Sequence, residues 1–390
     1  MIPGGSAPAA RAFPRLTFQA FFSILSLFGL RDIPERRTVD MKTNRIIALM
    51  LCAVLALCAL PGVSPAEEAP AFRVPQSAVN WVRKNKPMSF SIENVNWAPA
   101  DIYKIFKALP EGASFHFETD WGGVPVSEST VELDLREKKG GVTGADLEAV
   151  CAMCPNLALV DNSSRRSPSN KEMIPLIEKY PGIRFEWVVH LGGAHYISTH
   201  DTAFSTFNEP FDPDSLSSKQ MEKLKYCPRL KALDLGHNRL TDLEFLQYVP
   251  DLELLIVGDN MIKDLTPISQ LKHLKYAELF SNYFTDLTPV AACTELLDLN
   301  ICYARVPDFR CLDDMPALER FWATNTDRYV TDEEKERFRQ VHPNTECDFK
   351  GSHATTNGWR SHPRYHHYIW CLRNRTWIPF DQPLPDEAGA

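Results

Sequence analysis

The sequence lacks the features that define several large classes of protein. Its 42 Lys and Arg are outnumbered by 50 Asp and Glu, for a formal net charge of −8, so it has no basic excess with which to neutralise nucleic-acid phosphates. The acidic excess is too small, and the hydrophobic share of 44% too large, for a disordered acidic chain. The 18 glycines follow no Gly-X-Y period, which excludes a collagen-like rod. We therefore expect a folded protein without a nucleic-acid partner.

Cysteine motifs for metal or redox chemistry are also scarce. Cys151 and Cys154 form C-x-x-C, a spacing that zinc and redox sites use, but no second such pair exists. Cys154, Cys227 and Cys293 each lie three residues before a repeat-opening Leu or its equivalent, a position otherwise occupied by apolar residues. This pattern favours a role as small core residues. Two disulfide pairings stay open for an oxidising compartment, Cys302 with Cys311 and Cys347 with Cys371.

A His-rich tail offers an alternative, metal-based function. His362 and His366 are four residues apart, as metal ligands on one helix face would be, and His367 follows directly. Pro363 lies between the first two, however, and no acidic general base stands beside them as in H-E-x-x-H. We therefore predict no catalytic residue, no metal site and no cofactor, with a metal-dependent enzyme or a metal-binding protein that uses this tail as the alternative.

Residues 41–66 have the three parts of a secretory signal peptide. Lys42 and Arg45 form a basic start, residues 46–60 are an uncharged apolar run, and small residues stand at Ser64 and Ala66. A run of this length is short for a membrane span, which needs about 20 residues. Because Met41 begins a complete signal, we interpret residues 1–40 as an upstream leader that is not native to the protein.

Cleavage after Ala66 would leave 324 residues and would change the surface charge. Residues 1–66 carry seven Lys or Arg and three Asp or Glu, so their removal changes the net charge from −8 to −12. We expect a secreted or cell-envelope protein with no stable membrane span after cleavage. An uncleaved signal that anchors the chain is the alternative.

A period of 22 residues organises the second half of the chain. Three columns keep this step in one register: Leu230, Leu252, Leu274, Leu296 and Leu318; Asn238, Asn260 and Asn282; Asp242, Asp264, Asp286 and Asp308. The unit matches the leucine-rich repeat pattern L-x-x-L-x-L-x-x-N-x-L. Alternating Leu residues indicate a strand with one buried face, and the Asn amides can form a structural ladder between coils. The pattern predicts an α/β leucine-rich repeat solenoid with a curved parallel β-sheet, short helices or 3₁₀ turns on the convex side, and N- and C-terminal caps.

The pattern divides the chain after the signal into four segments. We expect an N-terminal cap at 67–128 and irregular, longer repeats at 129–229, which include a wide insertion at 190–213. Regular repeats of 22 residues follow at 230–345. Residues 346–390 are expected to form a C-terminal cap, packed on the last coil, and a tail. Helices are predicted near 99–109, 146–153, 169–180, 215–226 and 331–341, and strands at Phe115–Phe117 and near 345–349.

The regular repeats carry a resemblance to a known family. Residues 230–326, with LKALDLGHN at 230–238, resemble the internalin-type leucine-rich repeats of secreted bacterial proteins. Together with Trp-Val-Val-His at 187–190 and GWRSHPRY at 358–365, the chain also resembles exported gut-bacterial leucine-rich repeat proteins of unassigned function. The resemblance implies the fold and carries over no catalytic residue. Ala304 and Thr326 replace the repeat Asn, so we expect the ladder to weaken there.

Register places a mixed aromatic and charged set of residues on the concave side. Aromatic residues and Arg are the usual anchors of protein interfaces. We therefore predict that these residues, here named the concave strip, bind a protein or glycan ligand: Tyr276, Glu278, Phe280, Asp298, Asn300, Tyr303, Arg320 and Trp322. The alternative is that the tail or the 190–213 insertion covers the strip. A monomeric binding protein is the expected function, and a structural envelope protein is a further alternative.

Overall fold

The computed structural model describes residues 70–164 and 167–385. The leader at 1–40 and the signal peptide at 41–66 lie outside the described residues. No helix among the described residues has the length and apolar character needed to cross a membrane.

The described part begins with a small α/β unit. Helices α1 (Pro75–Asn85) and α2 (Pro99–Phe106) accompany strands β1 (Ser89–Val95), β2 (Ser114–Asp120) and β3 (Pro125–Ser127). β1 and β2 are parallel, and β3 returns antiparallel to β2. The strand predicted at Phe115–Phe117 is confirmed, and the helix predicted near 99–109 ends earlier than expected.

The longer repeats contribute three strands, of which the first two are each followed by a true helix. Strands β4 (Glu132–Asp134), β5 (Leu159–Asp161) and β6 (Arg184–Glu186) pair in parallel. Helix α3 (Gly144–Met153) follows β4, and α4 (Asn170–Lys179) follows β5. A capping box that Thr143 forms with Asp146 fixes the start of α3, and Ser169 with Glu172 does the same for α4.

The insertion after β6 contains a β-hairpin that the repeat pattern did not predict. β7 (Val188–Gly192) pairs antiparallel with β8 (His195–Ser198). The side chain of Asn170 binds the backbone N–H and C=O of His190 at 3.0 and 2.7 Å, which fixes the hairpin to the start of α4.

The regular repeats form a seven-stranded sheet in which all neighbours are parallel. Its strands are β9 (Ala203–Ser205), β10 (Ala232–Asp234), β11 (Leu254–Ile256), β12 (Tyr276–Glu278), β13 (Asp298–Asn300), β14 (Arg320–Trp322) and β15 (Glu346–Asp348). The convex segments are a short helix α5 (Ser218–Met221) and 3₁₀ turns at Glu222–Tyr226, Glu244–Tyr248, Thr266–Gln270, Thr288–Ala292 and Arg310–Leu312. The predicted leucine-rich repeat solenoid, with a parallel sheet and short 3₁₀ turns, is confirmed.

Asparagine amides connect successive coils. Asn260 donates to the carbonyl oxygens of Leu235, Val257 and Gly258 at 2.9–3.2 Å, and its Oδ1 accepts from Leu240 N–H at 2.9 Å. Asn238 and Asn282 form equivalent contacts in their own coils. The residue before each ladder position has a left-handed backbone, with φ between 51° and 62°: His237, Asp259, Ser281, Tyr303 and Asn325.

The C-terminal segment extends beyond the predicted packing on the last coil. Helix α6 (Asp332–Val341) and β15 complete the last coil, and residues 350–385, here named the C-terminal tail, contain helix α7 (Pro363–Asn374). This segment contacts the last coil, where Asn357 Nδ2 donates to Asp348 of β15 at 2.9 Å, but it also continues beyond that coil. Thr202 N–H donates to the carbonyl of Arg375 at 3.2 Å, and Trp377 N–H donates to the Thr202 hydroxyl at 2.7 Å, so the tail extends back to the first strand of the sheet.

Candidate binding surfaces

The concave strip is buried, contrary to the exposure that its predicted role requires. Tyr276, Glu278, Phe280, Asp298, Asn300, Arg320 and Trp322 are at most 9% exposed, and Tyr303 alone is partly exposed, at 37%. The cover is the C-terminal tail, one of the two alternatives that the sequence left open. The expectation of an exposed strip is therefore wrong, and ligand binding by its residues stays a prediction.

Trp359 of the tail is the centre of a second hydrophobic core on the concave side. It is fully buried, with ring centroids 5.5 Å from Tyr276 and 5.2 Å from Trp322. The Arg320 guanidinium lies 4.4 Å from the centroid of the Trp359 ring, within cation–π range. This core also contains Phe280 and other buried residues of the sheet and of α7. The tail is thus packed as protein interior.

The carboxyl group of Glu278 lies inside this core among neutral donors. It accepts from the Tyr276 hydroxyl at 2.6 Å, from Trp359 Nε1 at 2.7 Å and from the Tyr368 hydroxyl at 3.3 Å. Burial raises the pKa of Glu278, and the donors from Trp359 and Tyr276 only partly oppose the rise. The same burial raises the pKa of Tyr276 well above its usual value.

The remaining strip residues bind the backbone or the charges of the tail. Arg364 binds both carboxylate oxygens of Asp298, at 2.6 and 2.9 Å. Asn300 donates to the carbonyl of Ala354 at 2.7 Å, and the Trp322 indole donates to the carbonyl of Thr356 at 3.1 Å. The Tyr303 hydroxyl donates to the carbonyl of Ser352 at 3.1 Å. The observed role of the strip is therefore to hold the tail.

The histidines of the tail make structural contacts. His362 caps α7, because its Nδ1 accepts from Arg364 N–H at 3.2 Å, and His367 Nε2 lies 2.8 Å from the carbonyl oxygen of Ile378. Burial and the charges of Arg364 and Arg320 lower the pKa of His362 to about 4. His366 is exposed. Residues 70–164 and 167–385 contain no group of three or more His, Cys, Asp or Glu that could hold a metal ion.

The cysteines of the described residues are free thiols, and neither of the two candidate disulfide pairings is formed. Cys154, Cys227 and Cys293 are at most 2% exposed, as the repeat position predicts. Burial raises the pKa of Cys151 and of Cys154 to about 12, which disfavours the thiolate form that metal binding and redox chemistry need.

The concave side has a second part, formed by β4, β5 and β6. Asp134, Asp161 and Glu186 stand opposite one another in register, and we name them the carboxylate row. The row lies at the same strand position as Asp234 in β10, because the triplet Leu133-Asp134-Leu135 recurs as Leu233-Asp234-Leu235. This repeated triplet is the signal from which the row was predictable, although the sequence analysis missed it. Asp161 and Glu186 are buried, and Asp134 is exposed.

Basic side chains bind each member of the carboxylate row. Arg136 Nη2 lies 2.6 Å from Asp134, His200 Nε2 lies 2.9 Å from Asp161, and Arg229 Nη2 lies 2.6 Å from Glu186. Hydrogen bonds from the Ser163 hydroxyl and backbone, together with His200, lower the pKa of Asp161 despite its burial. The two buried carboxylates, Asp161 and Glu186, thus hold the exposed side chains of His200 and Arg229 in fixed places.

The outward side of these three strands, here named the open face, presents a small mixed surface. Glu132, Leu159 and Arg184 stand in one register row beside the carboxylate row. Glu132 and Arg184 are exposed, and Leu159 is half-buried between them. The side chains of Arg136, His200 and Arg229 are 41–53% exposed. This part of the concave side is therefore accessible, unlike the strip under the tail.

Comparisons with known proteins find structural similarity at low sequence identity. No protein-family model and no curated protein matches the chain. Among solved structures, the chain is similar to an internalin from Listeria monocytogenes, with 15% identity, 73% of this chain and 77% of that chain covered, and a TM-score of 0.36. It is similar to internalin C2 of the same organism, with 16% identity, 68% of this chain and 93% of that chain covered, and a TM-score of 0.30. It is also similar to a leucine-rich repeat protein from Leptospira interrogans, with 18% identity, 64% of this chain and 69% of that chain covered, and a TM-score of 0.33.

Proposed function

We propose that the protein is an exported, non-enzymatic binding protein whose open face docks a protein or glycan ligand. Leucine-rich repeat solenoids generally serve as binding scaffolds through their extended concave surfaces. One observation supports the choice of surface. The C-terminal tail fills the concave side along the seven-stranded sheet, whereas Glu132 and Asp134 on β4 and Arg184 on β6 are exposed. The ligand therefore meets the solenoid on β4–β6.

The chemistry of the open face suits recognition. Arg residues are enriched among interface anchors, and Leu159 adds an apolar centre. Glu186 is 3% exposed and holds Arg229 at 2.6 Å, so this guanidinium is ordered before a ligand arrives. Ordering a side chain in advance lowers the entropy that binding must overcome.

The arrangement of the polar groups supports binding in preference to catalysis. The Ser163 hydroxyl donates to Asp161 at 2.6 Å, so it is not paired with His200. His200 Nε2 contacts the same carboxylate, and its Nδ1 lies 3.1 Å from Arg229 Nη1. Both ring nitrogens are thus engaged, whereas a nucleophile needs a base that can accept its proton.

The test is ligand capture by the chain beginning at Glu67, immobilised and exposed to a glycan array and to a cell-surface protein extract. The double variant Arg136→Glu/Arg184→Glu reverses two exposed charges of the open face and should abolish capture. The control Arg339→Glu changes an exposed residue of α6 and should leave capture unchanged. Equal capture by both variants would place the ligand site elsewhere.

Export rests on the signal-peptide pattern at 41–66. Expression of the full chain in a bacterium, followed by cell fractionation and N-terminal sequencing, should yield a product outside the cytoplasm that begins at Glu67. A cytoplasmic product that retains residues 41–66 would contradict export. Light scattering of the purified product should give the mass of a monomer.

A further inference from the structure

One coil of the solenoid contains an inserted loop at the edge of the sheet. In the next coil, Leu240 follows the ladder residue Asn238 by two positions, and Leu240 N–H donates to Asn260 at 2.9 Å. In the coil of β9 the same place is taken by Leu216, whose N–H donates to Asn238 at 2.6 Å. Leu216 follows Ser205 of β9 by eleven positions, whereas Leu240 follows Asp234, the β10 residue paired with Ser205, by six, so the coil carries five additional residues here. We name residues 208–216 the Phe211 loop.

Both ends of the Phe211 loop are bound to one side chain of the ladder. Asn238 Oδ1 accepts from Asn208 Nδ2 at 2.8 Å and from Leu216 N–H at 2.6 Å. Inside the loop, Asp212 N–H donates to the carbonyl of Glu209 at 3.1 Å, and the Ser215 hydroxyl donates to the carbonyl of Asp212 at 2.6 Å. The loop is therefore a closed, internally bonded structure that presents its tip in a fixed way.

Phe211 lies at the tip of the loop, with an exposed ring and a left-handed backbone conformation. Its side chain is 99% exposed, whereas burial of a Phe ring gains about 1.5–3 kcal/mol. Its φ is +66°, in the left-handed region that a bulky residue rarely adopts. Pro210 and Pro213 flank it and limit the backbone on both sides. Such strain at an exposed aromatic residue points to a contact that the isolated chain does not make.

Acidic residues lie on both sides of Phe211 along the loop. Glu209, Asp212 and Asp214 lie within three positions of Phe211. None of the three carboxylates forms a salt bridge with a Lys, Arg or His among the described residues, although many other acidic groups do. The loop thus presents an exposed apolar ring together with three carboxylates, here named the acidic collar, that form no salt bridge within residues 70–164 and 167–385.

We propose that the Phe211 loop is a protein-docking anchor that inserts Phe211 into an apolar pocket rimmed by Lys or Arg on a partner protein. Insertions of a solenoid project from one face, often the binding face. The apolar ring and the unpaired carboxylates select a partner with an apolar pocket and a basic rim. A membrane is a poor occupant, because anionic head groups repel the acidic collar and a single ring gives weak insertion. The site shares no residue with the open face and goes beyond the function proposed above.

The chemistry of the anchor can be measured with a defined probe. A β-cyclodextrin that carries amino groups around its rim has an apolar cavity and a cationic edge. Calorimetry with the chain beginning at Glu67 should show about tenfold tighter binding of this probe than of uncharged β-cyclodextrin, from attraction to the acidic collar. Phe211→Ala should abolish that binding, and Phe106→Ala, at a residue that is 37% exposed on α2, should preserve it. Equal binding of both cyclodextrins, or no loss in Phe211→Ala, would overturn the proposal.

The partner can be identified by photo-crosslinking in the producing cells. Phe211→p-benzoylphenylalanine should give one protein adduct whose modified peptide borders an apolar pocket with Lys or Arg at its edge. The added changes Glu209→Lys and Asp214→Lys should reduce the adduct about tenfold, because they reverse the collar charge. An adduct to lipid or to a second copy of the chain, one insensitive to these changes, or no adduct would contradict the proposal. Arg136→Glu/Arg184→Glu should leave the adduct intact, which separates this site from the open face.

Discussion

At the scale of the residue, the ladder amides of Asn238, Asn260 and Asn282 each satisfy backbone groups of two coils. Asn260 donates to carbonyl oxygens of its own coil and of the preceding one, and it is 5% exposed. We predict that Asn260→Ala destabilises the protein by at least about 2 kcal/mol, because buried donors and acceptors lose their partners. Urea unfolding measures this loss. The control Asn80→Ala, at an exposed position of α1, should change stability by less than about 0.5 kcal/mol.

The buried Glu278 gives a pH-dependent prediction. Its pKa is raised in the folded state, so the folded protein favours the neutral carboxyl group, and stability falls as pH rises through the folded-state pKa. Gln keeps the acceptor oxygen and carries no charge. Glu278→Gln should therefore match the wild type at low pH, and its urea midpoint should exceed that of the wild type at pH 8.

The matched control is Glu336→Gln, at an exposed residue of α6. Its effect on the urea midpoint should be the same, and small, at both pH values. A Glu278→Gln variant that is less stable than the wild type at pH 8 would show that the buried group is stabilised as a carboxylate.

The residues of the ladder were predictable because they recur with the repeat period of 22 residues. The exposure of the strip was not, because its cover comes from a part of the chain without repeats. Tyr276 and Trp359, which pack together, are 83 positions apart, and no periodicity connects them. The aromatic residues of the tail indicated packing, but they did not indicate the surface against which they pack.

At the scale of the element, one indole lies at the centre of the contacts that attach the tail. Trp359 contacts Tyr276 and Trp322 and donates to Glu278. Trp359→Ala should lower the free energy of unfolding by about 3–5 kcal/mol, the usual effect of truncating a fully buried Trp. The matched control Tyr329→Ala, at an aromatic residue that is 40% exposed, should cost far less. A small effect of Trp359→Ala would mean that the tail contributes little to the fold.

The types of secondary structure in the regular coils were predictable from the sequence. Twenty-two residues leave room for a three-residue strand and a 3₁₀ turn, and both occur in each regular coil between 230 and 322. The helices predicted near 146–153 and 169–180 are confirmed by α3 and α4. The β7–β8 hairpin and the Phe211 loop were not predictable, because an insertion keeps no register with the coils that flank it.

At the scale of the whole described chain, the concave side is divided in two. Along the seven-stranded sheet, the tail supplies a second core between residues of β9–β14 and α7. Along β4–β6, buried carboxylates face exposed basic groups. The division explains why the register of the concave residues could be predicted although their accessibility could not. It also moves the proposed ligand contact from the aromatic strip to the charged open face.

Hydrogen exchange under native conditions tests most directly that the tail is a permanent part of the interior. Backbone amides at 368–372 in α7 should be as protected as those of β10–β13, and should open only with global unfolding. The comparison needs the wild-type chain beginning at Glu67 and no ligand. Rapid exchange in α7 while the strands stay protected would contradict this, and would show a detachable tail above an accessible concave strip.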